Sequence, residues 1–547
     1  MFNFDHIFTN TLDYLFLPLR VVIDKPWRLI LAFILVLLLQ KIVQRLRRGS
    51  IAYLQGPRPG PWSVGNLREL LAADEAAEND FKWTNEYGTA LAIKGSMGLD
   101  MLYLTDPKAL HYILNTTGYT YPKPQQSRAT TRLIIGEGLV YAHGDQHAKQ
   151  RKLMNPAFSF TAFPEFFESF RSNVSKMMDI WRRMISQSTD GKACVIDVTT
   201  WVSRTMLNII GQVGFNYDFE ALDDAKNPLA ESYKDLFAET TYKRSNGMLI
   251  FEAFWGYLPF WMVKLIQKLP AGKLKRFHAY RKVARQVARD MIKVQTEHYL
   301  YGNEGGKDML SILIRANLSG DPSVKISDNE IESQLTTLML AGHDTTASSI
   351  MWGLYELSRD QVSQQHIREE IANVRLRISQ RGDEKLTITD LETMKYLSAF
   401  IKELHRFHPV VPLIHREASH DDILHLSQPV QTKDGRYIDT IPISKGQRIV
   451  MSIAAYNRLK SVWGDDADTW RPNRFLDEFK QNPKTGVGVM SNLVVEMQVL
   501  FMELLENFNF APDPEQGEIF RAATSIMAPM CKSDPGKTSL PLTVSLV

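Results

Sequence analysis

The sequence predicts a mostly α fold with small β-sheets, forming one large body behind an N-terminal membrane anchor. Three observations carry that expectation. A capped apolar pattern runs from Ser327 to about Leu357, long enough for a helix through a core. Short strand-like or extended runs, Ala193–Val198 and Pro409–Arg416, interrupt the helical periodicity. An unbroken apolar run, Leu29–Leu39, stands near the start of the chain. At 547 residues the chain can bury a large core. Its 44% hydrophobic and 23% charged content excludes disordered and collagen-like classes. The net charge, 64 − 61 = +3, is too near zero to argue for nucleic acid. With only Cys194 and Cys531 present, a disulfide framework and any multi-cysteine zinc or iron–sulfur site are excluded.

The amino-terminal run extends less cleanly from Trp27 to Val43 and is followed by Lys41, Arg45, Arg47 and Arg48. The clean part is shorter than the ~20 residues of a full span, so a buried or interfacial helix is the alternative. Basic residues just after the run favour an anchor with a cytoplasmic body, and their place after it argues against a cleaved signal peptide. Prolines from Pro57 to Pro61 cannot continue a helix and make a stiff connector. The expected division is therefore an anchor over 1–48, a hinge over 49–62 and a body over 63–547.

Ser327-Asp328-Asn329-Glu330 is a capping box, and Ile331, Leu335 and Leu338 follow at helical spacing. The middle of this helix reads Ala341-Gly342-His343-Asp344-Thr345-Thr346. A glycine costs ~1 kcal/mol in a helix interior, and threonine hydroxyls can bond back to carbonyls and bend it. Small residues would let a flat group approach, and an acid beside a hydroxyl offers a proton route. Close helix packing with a satisfied polar cluster explains the segment as well.

Glu403 and Arg406 lie at i, i+3 before Pro409 and share a helix face. Alone, such a pair is usually a solvated bridge worth ~0–1 kcal/mol. Arg474, in the Pro-constrained loop Trp470–Phe475, offers a second guanidinium, so a buried Glu–Arg–Arg network becomes possible.

Together these segments resemble the cytochrome P450 family of haem-thiolate monooxygenases, in particular its membrane-bound fungal type. Ala341–Thr346 matches the family's oxygen-activation motif, which implies that Asp344 and Thr345 act as its acid–alcohol pair. Glu403 and Arg406 match its Glu-x-x-Arg, with Arg474 completing a structural network. Tyr141–Lys152 resembles the helix that carries a Trp-x-x-x-Arg pair to the haem propionates. Arg151 fits that pattern, His147 replaces the tryptophan, and Arg416 fits a second propionate contact. The resemblance implies haem (iron protoporphyrin IX) as cofactor and a cytochrome P450-like fold. It also implies electrons from a membrane-bound NADPH–cytochrome P450 reductase and an endoplasmic reticulum location. The pocket walls it implies are Leu133, Ile134, Ile135, Met339, Val410 and Val411.

One part of the family's pattern is missing. Its proximal loop has a phenylalanine, then glycine, arginine and the cysteine whose thiolate holds the iron. That loop belongs between Phe475 and the helix containing Val494–Leu500. This chain reads Gly486-Val487-Gly488-Val489-Met490-Ser491-Asn492-Leu493 and passes straight to Val494. No metal ligand is therefore assigned, and neither remaining cysteine has the loop's glycine-rich surroundings. Three readings stay open: a loop lost from the deduced sequence, a catalytically dead protein, or haem held by the remaining contacts alone.

The expected function is hydroxylation of a lipophilic small molecule with dioxygen and NADPH-derived electrons. The alternative is an inactive relative that keeps the fold as a binding protein. The aromatic-dense segment Met248–Val263 suits either a membrane interface or ordinary core packing.

Overall fold

The computed structural model describes residues 51–547 apart from 159–162, 224–225, 256–257, 259–261, 263–271, 302–305, 323, 383–385, 477–491 and 516. The anchor expected over 1–48 lies outside the described residues. Among those residues no helix is long and apolar enough to cross a membrane.

Nine helices of eleven residues or more are numbered here. They are α1 Gln125–Ile135, α2 Gly144–Met154, α3 Phe163–Ser186, α4 Val198–Phe215 and α5 Gly272–Leu300, followed by α6 Asp328–Arg359, α7 Gln361–Arg381, α8 Lys395–Phe407 and α9 Asn492–Asn507. Four small sheets accompany them. β1 (Ala90–Lys94), β2 (Asp100–Leu104), β7 (Arg448–Ser452) and β4 (Leu413–Glu417) form one, in that spatial order. β3 (Ala193–Asp197), β11 (Pro541–Leu546) and β8 (Phe508–Pro512) form a second. The hairpins β5 (Asp422–Gln431) with β6 (Tyr437–Ile443), and β9 (Ile519–Ala523) with β10 (Met527–Cys531), complete the set. All pairings are antiparallel except β2 with β7, where Met101 stands opposite Arg448.

α6 is the axis of the body. Its start is fixed by the capping box: Glu330 N donates to Ser327 Oγ at 3.3 Å, and Ser327 N donates to Glu330 Oε2 at 2.9 Å. Ile331, Leu335 and Met339 repeat at every fourth residue and are fully buried, so that face enters a core shared with α4 and α5. Toward its C-terminal end α6 meets a second core built on α3, α7, α8 and α9. There Gly353 is required by contact, since a Cβ would come within 2.3 Å of Phe501 Cζ on α9. Trp352 Nε1 and Ser348 Oγ both donate to Met527 O, at 2.8 and 2.7 Å, while Met527 N donates to Val410 O at 2.8 Å. These three bonds tie the β9–β10 hairpin and the segment after α8 to the middle of α6.

The proline segment runs without helix from 55 to 61 and lies against β1: Ala92 N donates to Gln55 O at 2.8 Å, and a Cβ on Gly56 would collide with Ala92 O. In the aromatic-dense segment, Leu249, Ala253 and Trp255 of the helix Asn246–Trp255 are buried, so this part packs inward. Beyond it only Leu258 and Met262 lie within the described residues.

Replacing Gly353 by alanine should lower the unfolding free energy in urea by about 1–3 kcal/mol through overpacking against Phe501. Gly247→Ala, a helical glycine with nothing within 4 Å of its added Cβ, should be neutral or slightly stabilising. Equal losses at both positions would refute the contact argument.

Candidate functional site

α8 and the loop after the short helical turn Lys460–Trp463 converge on one carboxylate. Arg406 Nε and Nη2 donate to Glu403 Oε2 and Oε1, each at 2.7 Å, in a bidentate pair with neither residue more than 3% exposed. The remaining Arg406 donors reach Asn457 O, Ala467 O and Thr469 O. Arg471 N donates to Glu403 Oε1 at 2.8 Å. Arg474 Nε stands 3.6 Å from Glu403 Oε2, an ion pair without a hydrogen bond, while its Nη1 donates to Trp463 O and Asp466 Oδ1, both at 2.7 Å. One buried carboxylate thus faces two buried guanidinium groups, and the backbone from 457 to 474 is folded around them. Glu403→Gln would leave the buried Arg406 guanidinium without its counter-charge, while Arg474 keeps Asp466, so urea unfolding should show a loss of about 3–5 kcal/mol. A loss below about 1 kcal/mol would mean that water replaces the carboxylate.

The polar break of α6 is continuous helix. Thr345 Oγ1 donates to Ala341 O at 2.7 Å and Thr346 Oγ1 to Gly342 O at 3.1 Å, the back-bonding expected of threonine in a helix. His343 is fully buried, with Nδ1 3.1 Å from Met339 O and Nε2 2.8 Å from Asp344 Oδ1. Gly342 is small for a different reason from the one its sequence suggests: its added Cβ would lie 2.8 Å from Ile210 Cδ1 on α4. It serves helix packing. Ala341, one turn before Thr345 on the same face, is the exposed residue of the segment.

Of the six expected wall residues, Leu133 lines a cleft of about 1650 Å³. Ile134, Ile135 and Met339 are packed in the core shared by α4, α5 and α6. Met339 has Leu335 and His343 as its i±4 neighbours, and that face of α6 is fully buried. Val410 is half-buried and Val411 is 44% exposed.

His147, Arg151 and Arg416 belong to a basic cluster with further members that the motif reading missed. Tyr119 Oη lies 2.8 Å from His147 Nδ1. Burial, with Lys123 and Arg151 nearby, holds the His147 imidazole below its ordinary pKa. Burial, with Arg416 and Arg128 nearby, lowers Lys123 to about 8. Arg416 donates to His415 O at 2.9 Å, and Lys123 donates to Val140 O. Four cations therefore crowd around the His147 imidazole, and the hydrogen bonds of Lys123 and Arg416 go to carbonyls. A signal for the missed members existed in the sequence: no Asp or Glu occurs between Asp106 and Glu137.

Haem asks two things of such a site, cations for its propionates and a ligand for its iron. The cluster meets the first. For the second, Cys194 lies on β3, opposite Val544 of β11, and Cys531 closes β10 with Sγ 2.8 Å from Ser533 Oγ. Cys531 shares a smaller cleft of about 630 Å³ with His343 and Asp344, on a different face of α6 from Ala341 and Thr345. The stretch 477–491, where the proximal loop is expected to begin, lies outside the described residues and contains no cysteine. α9 starts at Asn492 and runs through Leu493 and Val494 as helix, so those two residues bracket no loop. The residues present fit the carboxylate edge of haem and do not fit its iron.

Comparison with known proteins agrees with this architecture. The family model for Cytochrome P450 matches residues 54–490, most of the chain. It ends three residues before Leu493, although the fold continues through α9 and four further strands. Cytochrome P450 monooxygenase 205 of Postia placenta is 30% identical, covering 92% of this chain and 94% of that protein. Cytochrome P450 monooxygenase claO of Ampulloclitocybe clavipes is 31% identical over 82% of each. Ganoderic acid synthetase of Ganoderma lucidum is 27% identical, with 91% and 94% covered. A mostly helical body with small sheets, organised around α6 and the buried Glu403 network, defines a cytochrome P450 fold. The chain belongs to the cytochrome P450 family, whose members are haem-binding monooxygenases.

Two half-buried histidines make acid stability testable. Burial lowers His405 to about 4, and burial with Arg244, Arg448 and Arg416 nearby lowers His415 to about 4. Each takes up its proton more readily when unfolded, so between pH 6.5 and 4 the unfolded chain binds more protons and stability falls with pH. Each contributes at most about 3 kcal/mol across that window. His415→Asn should flatten the dependence of urea unfolding on pH there; an unchanged slope would refute the assignment.

Proposed function

We propose that the complete product of this gene is a haem-dependent monooxygenase hydroxylating a lipophilic small molecule, and that this chain lacks the loop carrying its iron ligand. The join itself carries the reading. Immediately after it, α9 keeps its packing: Phe501 meets Phe400 at 5.7 Å between ring centroids and fills the space left by Gly353. On the other side, the Glu403 network is complete as far as Arg474. Gradual decay would erode both flanks, whereas a clean excision leaves them whole.

When bound and thiolate-ligated, haem supplies the dioxygen chemistry of this family. The chain's own contributions are separate from it. Lys123, Arg151 and Arg416 would neutralise the two carboxylates of the cofactor, and His147 would offer a hydrogen bond. Thr345 would hold a proton beside the exposed Ala341 of α6, and Asp344 would hold one on the neighbouring face that lines the smaller cleft. In this reading residues 1–48 anchor the protein in the endoplasmic reticulum membrane, the body lies in the cytoplasm, and a membrane-bound NADPH–cytochrome P450 reductase supplies electrons. The names of the fungal relatives, ganoderic acid synthetase among them, support a lipophilic substrate of secondary metabolism.

The missing cysteine favours a second reading, an inactive relative that keeps the fold to bind a ligand. Sequencing the transcript across the codons for Leu493 and Val494 separates the two. A message encoding a cysteine loop between them is expected, and its protein should show a haem-thiolate absorbance spectrum. A message that joins those codons directly, giving a folded and colourless protein, would establish the inactive relative instead.

A further inference from the structure

The cleft of about 1650 Å³ lies among α1, α5, the start of α6 and the end of β4. Its wall is mixed in a particular way. Leu133, Trp255 and Leu258 give it an apolar side, while Lys123, Arg128 and Arg281 give it positive charge. Three further arginines on the wall are already matched. Arg132 Nη2 lies 2.6 Å from Glu137 Oε1, and Arg285 and Arg289 approach the two oxygens of Glu332 at 2.5 and 2.8 Å. The acids lining the cleft are engaged as well: Glu137 with Arg132, Glu330 in the capping box, Glu417 3.6 Å from Arg448 Nε, and Asp421 accepting from Lys445 N at 2.6 Å.

Lys123, Arg128 and Arg281 have no such match. Lys123 donates to Val140 O; Arg128 Nε donates to Tyr141 O at 3.3 Å, with its guanidinium 4.7 Å from the Tyr141 ring centroid. Arg281 Nη1 donates to Leu133 O at 3.2 Å, and its buried Nε has no acceptor. Burial, with Arg285 nearby, lowers Arg281 to about 10. Carbonyl dipoles do not cancel a full charge, so a half-buried guanidinium with a vacant donor fits an anion.

We propose that this cleft takes an amphiphilic carboxylic acid as the substrate of the monooxygenase, with its carboxylate on Arg281 and Arg128 and its apolar body against Leu133, Trp255 and Leu258. The assignment rests on the monooxygenase reading for the word substrate, but the binding does not. A carboxylate could also come from a tetrapyrrole, because Lys123 borders the cluster of His147 and Arg416. Arg281 tells the two apart. Its charged neighbours are Arg285, Glu332, Arg132 and Glu137, none of them a member of that cluster.

The test uses the purified full chain and its intrinsic tryptophan fluorescence, since Trp255 forms part of the wall. Palmitate and oleanolic acid, one flexible and one rigid, are each titrated against their methyl esters. At least one acid should bind roughly 10- to 100-fold tighter than its ester, the worth of a charge-assisted hydrogen bond, and salt should narrow the gap. Arg281→Met should abolish the difference while leaving ester binding and the circular dichroism melting point unchanged, and Arg281→Lys should restore part of it. Equal binding of acid and ester, or no binding of either acid, overturns the proposal. So does an Arg281→Met variant that weakens protoporphyrin IX by the same factor, because the carboxylate would then be a tetrapyrrole's. A transcript that joins Leu493 directly to Val494 would remove the monooxygenase and leave this binding in place. Equal acid and ester affinities would remove the substrate class and leave the monooxygenase standing.

Discussion

A single carboxylate without water organises much of this molecule. Glu403 receives both guanidinium nitrogens of Arg406, a backbone N–H from Arg471 and the charge of Arg474, all in a buried site. Taking three ions out of water is costly, and the cost is met only when nearly every donor finds an acceptor. Here the acceptors are backbone carbonyls of Asn457, Trp463, Asp466, Ala467 and Thr469. The loop from 457 to 474 has no long regular element of its own, so satisfying those guanidinium groups is what gives it one shape.

That loop leads toward α9, and α9 is held independently. Its register depends on Met497, Leu500, Phe501 and Leu504 in the core and on the contact between Phe501 and Gly353. Packed elements therefore stand on both sides of residues 477–491, a stretch without cysteine. The fold of a cytochrome P450 is over-determined on this side, whereas its iron chemistry depends on one residue.

The other constraint is uncompensated positive charge. Burial and the neighbouring arginines Arg416, Arg128 and Arg151 hold Lys123 and His147 below their ordinary pKa values, and Arg281 adds a guanidinium outside any ion pair across the cleft. Proteins rarely bury like charges without purpose, because each carries a desolvation cost. The two groups differ in surroundings. One borders the C-terminal end of β4 and the start of α2, and the other faces an apolar wall between α1 and α5.

Several features were legible without coordinates because they depend on near neighbours in the chain. The Ser327–Glu330 cap, the i, i+3 pairing of Glu403 with Arg406, the strand at Ala193 and the absence of a cysteine after Phe475 are of this kind. Other features were not. Gly342 reads as room for a flat group, yet it makes room for Ile210 from another helix. Met339 reads as a pocket wall, yet its face of α6 turns into the core. Lys123 and Arg281 belong to no motif in the sequence, and only the fold shows that neither lies within an ion pair with a carboxylate. The sequence by itself determined the helical cap, the ion-pair motif and the missing iron ligand, since each is set by spacing along the chain. Tertiary structure alone decided which glycine packs, which methionine is core and which cations lack a partner, because packing and charge compensation are properties of neighbours in space.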